Sequence, residues 1–386
     1  MHLRITTLLL FSLCFSQFAQ AAPKKPEQPE EYTKGLESYD KGDNATALML
    51  WFPLAEKGHA DSQYMLGTMY LEQKSPSKDP AEAATWLKRA AEQNHVKAQS
   101  MLGRMYLKGV GVKQNFRDAA IWSLKGARNG DIEAQYVIGK MYQNGDGVSM
   151  QPEKAAYWFD QAANQDHTFA QVALGMMFLN GDGIKQNTAK AMELLEKAAH
   201  KNNVSAQLNL AQLYRDGSAK IPQDYKKALD LYLKAAELNS PEALYNLGNF
   251  YKYGLGTGKD LNRAFDHYKK AADQNYLDAQ YNLGIMYVNG FGVSRSYEKG
   301  VDLFMTAAQK KHAEAMMDLA VAYYTGKGVA PDSAIAYAWY HVSATYGTKD
   351  AFKTKTILYE KMTAEDKKRA TLLASEYETK YGPYAK

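Results

Sequence analysis

Cysteine is almost absent from these 386 residues, Cys14 being the single one. One thiol cannot make a disulfide framework or a thiolate cage for zinc or an iron–sulfur cluster. Long apolar runs are scarce as well. The one of note lies at the start, where Arg4 precedes an apolar stretch from Ile5 to about Phe18, followed by Ala19-Gln20-Ala21. It is too short and too interrupted by serine and threonine to span a membrane, but it has the order of a cleaved secretory signal over residues 1–21. Leu13 before Cys14 does not suit lipid modification, so the cysteine is expected to leave with the signal. Excess charge is lacking too: the formal net charge is +5, and removing Arg4 with the signal leaves +4. The charges are scattered along the chain without a basic run, which excludes recognition of nucleic acid by a charged patch. Proline is sparse, and Pro23, Pro26 and Pro29 crowd into residues 22–30, an expected disordered tether.

What the chain has in abundance is one unit written repeatedly. In residues 278–311 Ala279, Leu283, Gly284 and Tyr287 share one side of a helix, here called helix A. Gly290 and Gly292 stop it, Ser296 restarts the chain as an N-cap, and Gly300, Leu303, Phe304, Ala307 and Ala308 give helix B. The helix A aromatic recurs as Tyr70, Tyr106, Tyr142, Phe178, Tyr214, Tyr251, Tyr287 and Tyr323, in steps of 36 with a single step of 37. A small residue stands eight before each: Ser62, Ala98, Ala134, Ala170, Ala206, Ala243, Ala279 and Ala315. Helix B keeps its own clock at Ala47, Ala83, Ala119, Ala155, Ala191, Ala228, Ala264, Gly300 and Ala336. Four residues upstream of these stand Asp43, Asp79, Asn115, Gln151, Asn187, Asp224, Asp260, Ser296 and Asp332, all good N-caps except Gln151.

Two such helices cannot bury their own apolar faces, so each unit needs a copy on either side. The expectation is an all-α fold: an α-α superhelix, a right-handed solenoid of about nine helix-turn-helix repeats over residues 31–347. Beyond Gly347 the clock stops, and residues 348–386 read as a helical cap, with Asp350 to Lys361 and Thr363 to Tyr381 as helices. Two places depart from the pattern. Tyr39 to Tyr70 is 31 residues, a deletion of five, and Asp216-Gly217-Ser218-Ala219 loses the second glycine. Both predict a changed loop path within an unchanged fold.

The pattern Ala-x-x-x-Leu-Gly-x-x-Tyr-x-x-Gly-x-Gly-Val, followed by Lys-Ala and Ala-Ala, resembles that of the Sel1-like repeat family. Lys154-Ala155, Lys190-Ala191 and Lys227-Ala228 carry the first pair; Ala162-Ala163, Ala198-Ala199, Ala235-Ala236, Ala271-Ala272 and Ala307-Ala308 carry the second. The resemblance covers roughly residues 32–347. It implies adaptor roles in envelope assembly, signalling, exopolysaccharide export or host contact.

Residues that could carry chemistry point elsewhere. His59, His95, His167, His200 and His312 follow helix B about one repeat apart and read as exposed turn residues, too far apart for one metal ion. His267 occupies a helix B place held by Trp122, Trp158, Leu231 or Trp339 in other copies and reads as a buried imidazole. Gly254 to Asp260 has the wrong spacing for a phosphate loop. Asn144-Gly-Asp-Gly147 and Asn180-Gly-Asp-Gly183 lack the spaced carboxylates of a calcium loop. Ser75-Pro-Ser-Lys78 and Ser296-Tyr-Glu-Lys299 match the Ser-x-x-Lys pattern of penicillin-interacting enzymes without the companion motifs. No nucleophile, metal or cofactor is assigned.

Surface remains. On helix A, Tyr281 and Ile285 point away from the face that holds Ala279, Leu283 and Tyr287. Places equivalent to Tyr281 are Tyr64, Ser100, Tyr136, Val172, Leu208, Tyr245 and Met317; those equivalent to Ile285 are Thr68, Arg104, Lys140, Met176, Gln212, Asn249 and Val321. In helical solenoids the first helix usually lines the concave side. The candidate partner-binding residues are therefore Arg104, Lys140, Met176, Gln212, Asn249, Ile285 and Val321, with Tyr136, Tyr245 and Tyr281; the tyrosine row has packing against the next repeat as its alternative. The expected function is a non-enzymatic scaffold for extended or helical protein segments, with an enzyme or penicillin- or glycan-recognising protein of the cell wall as the other reading. The sequons at Asn44 and Asn203 would also suit a eukaryotic lumen, but no retention tail follows, so the periplasm or secretion is expected.

Overall fold

The computed structural model describes residues 28–72 and 78–384. The signal stretch with Cys14, the tether up to residue 27, and Ser75 lie outside the described residues. Two compact units make up the chain, Met1–Met150 and Gln151–Lys386. All regular structure among the described residues is helical.

In the first unit the helices are α1 (Glu30–Asp40), α2 (Asn44–Glu56), α3 (Ala60–Leu71), α4 (Pro80–Glu92), α5 (Val96–Lys108), α6 (Phe116–Arg128) and α7 (Ile132–Asn144). Up to α18, odd-numbered helices are helices A and even-numbered ones helices B. The second unit continues with α8 (Pro152–Ala163), α9 (Thr168–Asn180), α10 (Thr188–His200), α11 (Val204–Asp216), α12 (Tyr225–Glu237), α13 (Pro241–Tyr253) and α14 (Leu261–Asp273). It ends with α15 (Leu277–Asn289), α16 (Tyr297–Gln309), α17 (Ala313–Thr325), α18 (Ser333–Thr345), α19 (Lys349–Lys361) and α20 (Ala364–Tyr381). Within each unit the helices up to α19 pack on their neighbours in the chain, and α20 folds back on α18.

The spacing of small residues becomes intelligible once the helices touch. Ala98, Ala170, Ala206, Ala243, Ala279 and Ala315 on helices A are fully buried, as is every alanine of the helix B clock. At Gly284 an added Cβ would stand 2.7 Å from Phe304 Cε1, so the helix B aromatic lies flat on the glycine backbone. Any larger residue would wedge the hairpin open.

Helix B starts where the caps are. All eight of the good N-caps named from sequence accept a backbone N–H in the first turn, as Asp79 does from Ala81 and Glu82, while Gln151 makes no such bond. The loop before it closes by one recurring bond: the N–H of the helix B cap donates to the carbonyl of the helix A aromatic, as Ser296 does to Tyr287 at 2.9 Å. The lysine of the Lys-Ala pair then sits over that same ring, Lys190 at 4.7 Å from Phe178 and Lys227 at 5.0 Å from Tyr214.

Both departures change a loop and leave the hairpin standing. The deletion shortens the α1–α2 link to Lys41-Gly42-Asp43, with Gly42 at φ 80°. After α11 the chain turns so that Ser218 N–H donates to the Ile221 carbonyl at 2.6 Å, and Ile221 is buried there. The extra residue of the 37-residue step is absorbed in that turn.

Candidate interaction faces of helices A

Helix A begins with its own cap, and here four histidines are corrected. His59, His95, His167 and His312 are N-caps whose Nδ1 accepts the backbone N–H three residues on, at 3.1–3.2 Å. They are partly buried rather than exposed, because a neutral imidazole can do what Asp131, Asn203 and Ser240 do at the same place in other repeats. Only His200, in the last turn of α10, is the exposed residue expected. Burial lowers the His95 pKa, with Asp61 pulling it back up. His267 lies parallel to the Tyr251 ring at 5.3 Å, and burial lowers its pKa, with Lys270 adding to the shift.

A second set of residues escaped notice. The glutamine after the small residue, at Gln63, Gln99, Gln135, Gln171, Gln207 and Gln280, donates Nε2 to the carbonyl eight residues back, between 2.9 and 3.4 Å. It satisfies a carbonyl left open at the end of the preceding helix B. The recurring Ala-Gln pair was the available signal.

In the first unit Arg104 is exposed on α5, and Lys140 on α7 is partly exposed with Nζ 2.7 Å from Gln143 Oε1. Tyr64 stacks on His95 at 4.5 Å, and burial raises the phenol pKa of Tyr136. In the second unit Gln212 is exposed and Val321 is 41% exposed, while Met176 and Ile285 pack partly on the core. Asn249 accepts a hydrogen bond from Tyr268 at 2.6 Å.

The tyrosine row is tied into the joints between repeats. Tyr245 lies 5.2 Å from Tyr276, and Tyr281 lies 4.5 Å from His312, each the helix A cap of the following repeat. Tyr281 also donates its hydroxyl to Asp318 Oδ2 at 3.0 Å, and its pKa is raised by burial first and by Asp318 second.

Motifs that suggested chemistry have local duties. Ser296 Oγ accepts from Lys299 N–H at 3.3 Å and donates to Glu298 at 3.1 Å, so this Ser-x-x-Lys match is a helix cap. Asn144 and Asn180 each brace their loops by donating to the aspartate two residues on, at 3.1 Å. Asp260 caps α14 through Arg263 N–H at 3.0 Å. Among the described residues no group of three or more His, Cys, Asp or Glu could hold a metal ion.

The model of the Sel1 repeat matches residues 60–95, 96–131, 132–167, 168–203, 204–240, 241–276, 277–312 and 313–345. This chain belongs to the Sel1 repeat family. The matched frame is one helix A with its helix B, from α3–α4 to α17–α18, and the α1–α2 hairpin precedes the first Sel1 repeat. Among solved structures it is similar to a protective antigen present in uropathogenic Escherichia coli strains, which displays an SLR fold. Identity is 31%, the alignment covers 92% of this chain and 77% of that one, and the TM-score is 0.80. A Sel1 repeat protein from Oxalobacter formigenes is 28% identical over 88% of this chain and 98% of its own, with a TM-score of 0.62. No curated protein matches the chain. Sel1 repeat proteins generally mediate protein–protein interaction, and the repeat solenoid is typically a non-catalytic scaffold. Among the described residues no helix is long and apolar enough to cross a membrane.

Proposed function

We propose that this Sel1 repeat protein is a non-enzymatic scaffold of the bacterial cell envelope, exported by residues 1–21, that holds segments of protein partners against the open faces of its helices A. One observation carries the reading. At the Ile285 place the repeats carry Thr68, Arg104, Lys140, Met176, Gln212, Asn249, Ile285 and Val321, and every one of them keeps some exposure. Six residues earlier stands the small residue of the repeat, which is buried in all eight copies. A place that stays at least partly open and changes in size, polarity and charge from repeat to repeat is suited to reading a partner's sequence.

The test is a crosslinking pull-down from an envelope fraction with the mature chain, repeated with Arg104, Lys140 and Ile285 changed to alanine. Loss of specific proteins in the variant supports the reading. Recovery of an unchanged set of proteins sinks it, and so does finding the native chain in the cytoplasm.

A further inference from the structure

The helix A spacing does not end at Gly347. Tyr359 on α19 stands 36 residues after Tyr323, and Ala351, eight before it, is fully buried like its counterparts in the repeats. Helix α19 is therefore one more helix A, laid on α18 as α17 is laid on α16. Its hairpin partner is missing. The chain leaves α19 as it leaves the others, Met362 N–H donating to the Tyr359 carbonyl at 3.2 Å, but α20 then runs along α18 instead of α19. Thr356, at the place where Gly284 lies against Phe304 of its own helix B, is exposed, and one turn earlier Phe352 is 62% exposed. Only α18 holds α19 along its length.

One side chain in α19 breaks the pattern. From Leu66 on α3 to Leu319 on α17, every helix A buries a leucine or isoleucine four residues before its aromatic, and α19 has Lys355 there. Its Nζ lies 3.1 Å from His341 Nδ1 on α18, and the other ring nitrogen, Nε2, lies 3.0 Å from Glu378 Oε2 on α20. An ammonium group has donors only, so Nδ1 accepts from Lys355 and Nε2–H donates to Glu378. The ring is neutral in this arrangement. Tyr337 of α18 stacks on it at 6.2 Å and meets Tyr359 of α19 at 5.1 Å, while Lys367 of α20 stands 5.4 Å from the Tyr359 ring. No residue of α17 reaches the imidazole by hydrogen bond, ion pair or ring contact, and among the described residues neither Lys355 nor Glu378 has another ion-pair partner.

A proton added at Nδ1 removes the acceptor and sets an imidazolium against the Lys355 ammonium. The same proton turns the Glu378 contact into an ion pair. With α19 in place the charged ring meets one cation and one anion; with α19 away it meets the anion alone, so protonation favours the separated form. Helix α20 has its own hold on α18, since Arg369 pairs with Asp332 at 2.7 Å and Tyr377 packs on Trp339 at 4.8 Å. We propose that His341 is an acid-sensitive latch, holding α19 on α18 while neutral and releasing it when protonated, with α20 left in place. Release uncovers the side of α18 around Tyr337, a helix B face with no helix A on it, and so gives the last repeat an acid-dependent surface.

Hydrogen–deuterium exchange of the intact mature protein at about pH 7.5 and about pH 5, a span in which histidine changes charge, tests the latch. Exchange is expressed as protection relative to the unfolded chain at each pH, with α16 and α20 as internal references. Protection of the α19 amides should fall about tenfold on acidification while that of α20 holds. His341→Gln keeps a donor and an acceptor but has no proton to gain, and Lys355→Leu restores the side chain of the other repeats. Either variant should keep α19 protected at both pH values. Unchanged α19 protection in the parent overturns the latch, and so does an acid-induced fall that persists in either variant or that α20 shares equally.

Discussion

His95 and Asp61 face each other across a joint between repeats, Nε2 to Oδ1 at 3.1 Å, while His95 Nδ1 holds the N–H of Ala98. The two bonds require the neutral tautomer with its proton on Nε2, since a protonated Nδ1 can no longer accept. Burial, the largest influence, lowers the folded pKa below the ordinary value of 6.5. A base with a depressed folded pKa contributes full stability above its unfolded pKa, and that contribution is lost as the pH falls from 6.5 toward the folded value. Denaturant melts between pH 7.5 and 5 should therefore show stability falling in this window. His95→Asn, which copies the cap at Asn203, is expected to flatten that part of the curve. An unchanged pH profile in the variant would remove the cap from the explanation.

The glycine loops offer a sharper contrast. At Gly292, φ is +65° and an added Cβ would stand 2.1 Å from the Leu261 carbonyl oxygen at the start of the preceding helix B. Gly292→Ala should therefore destabilise the protein by about 2–4 kcal/mol, the sum of a left-handed alanine and a backbone collision. Gly258→Ala in the neighbouring loop meets nothing within 4 Å and has no positive φ, so it should lie within about 0.5 kcal/mol of the parent. Equal melting temperatures for the two variants would contradict this.

Periodicity made the hairpins legible, because burial forces small and apolar residues onto fixed places and the eye needs only their spacing. The eight good helix B caps were legible for the same reason. The helix A caps were not: histidine is rarely read as a cap, and three of them at 36-residue steps or multiples suggested surface turns. Left-handed positions before helix A were also missed, though Asn94, Asn202, Asn239 and Asn275 mark them as clearly as the glycines do.

Lys311 is the exception in that left-handed series, with φ 70° where other repeats place asparagine, glycine or aspartate. A lysine there carries the steric cost of its Cβ against the backbone. Lys311→Asn is expected to raise stability by about 0.5–1 kcal/mol, since asparagine tolerates this conformation. A chemical denaturation midpoint that falls would show that the lysine side chain contributes more than the backbone strain removes.

Asp318 stands where the preceding repeats have Asn246 and Asn282, and it accepts the Tyr281 hydroxyl at 3.0 Å. Its pKa is raised, burial outweighing the opposing hydrogen bond from Tyr281 and the nearby His312. A carboxyl with a raised folded pKa adds no cost below 3.8, where both states are protonated; above that the unfolded chain ionises first, and the cost is complete once the pH exceeds the folded value. Asn at this position keeps an acceptor for Tyr281 and has no charge to bury. Asp318→Asn should therefore raise the melting temperature at pH 7, with a gain that shrinks as the pH approaches 4. Tyr281→Phe should do the reverse, removing a donor to a partly buried carboxylate and pushing the Asp318 pKa higher still, which carboxyl-carbon NMR titration would read directly. A fall in melting temperature for Asp318→Asn at pH 7 would mean that the ionised carboxylate is held by more than the hydroxyl of Tyr281.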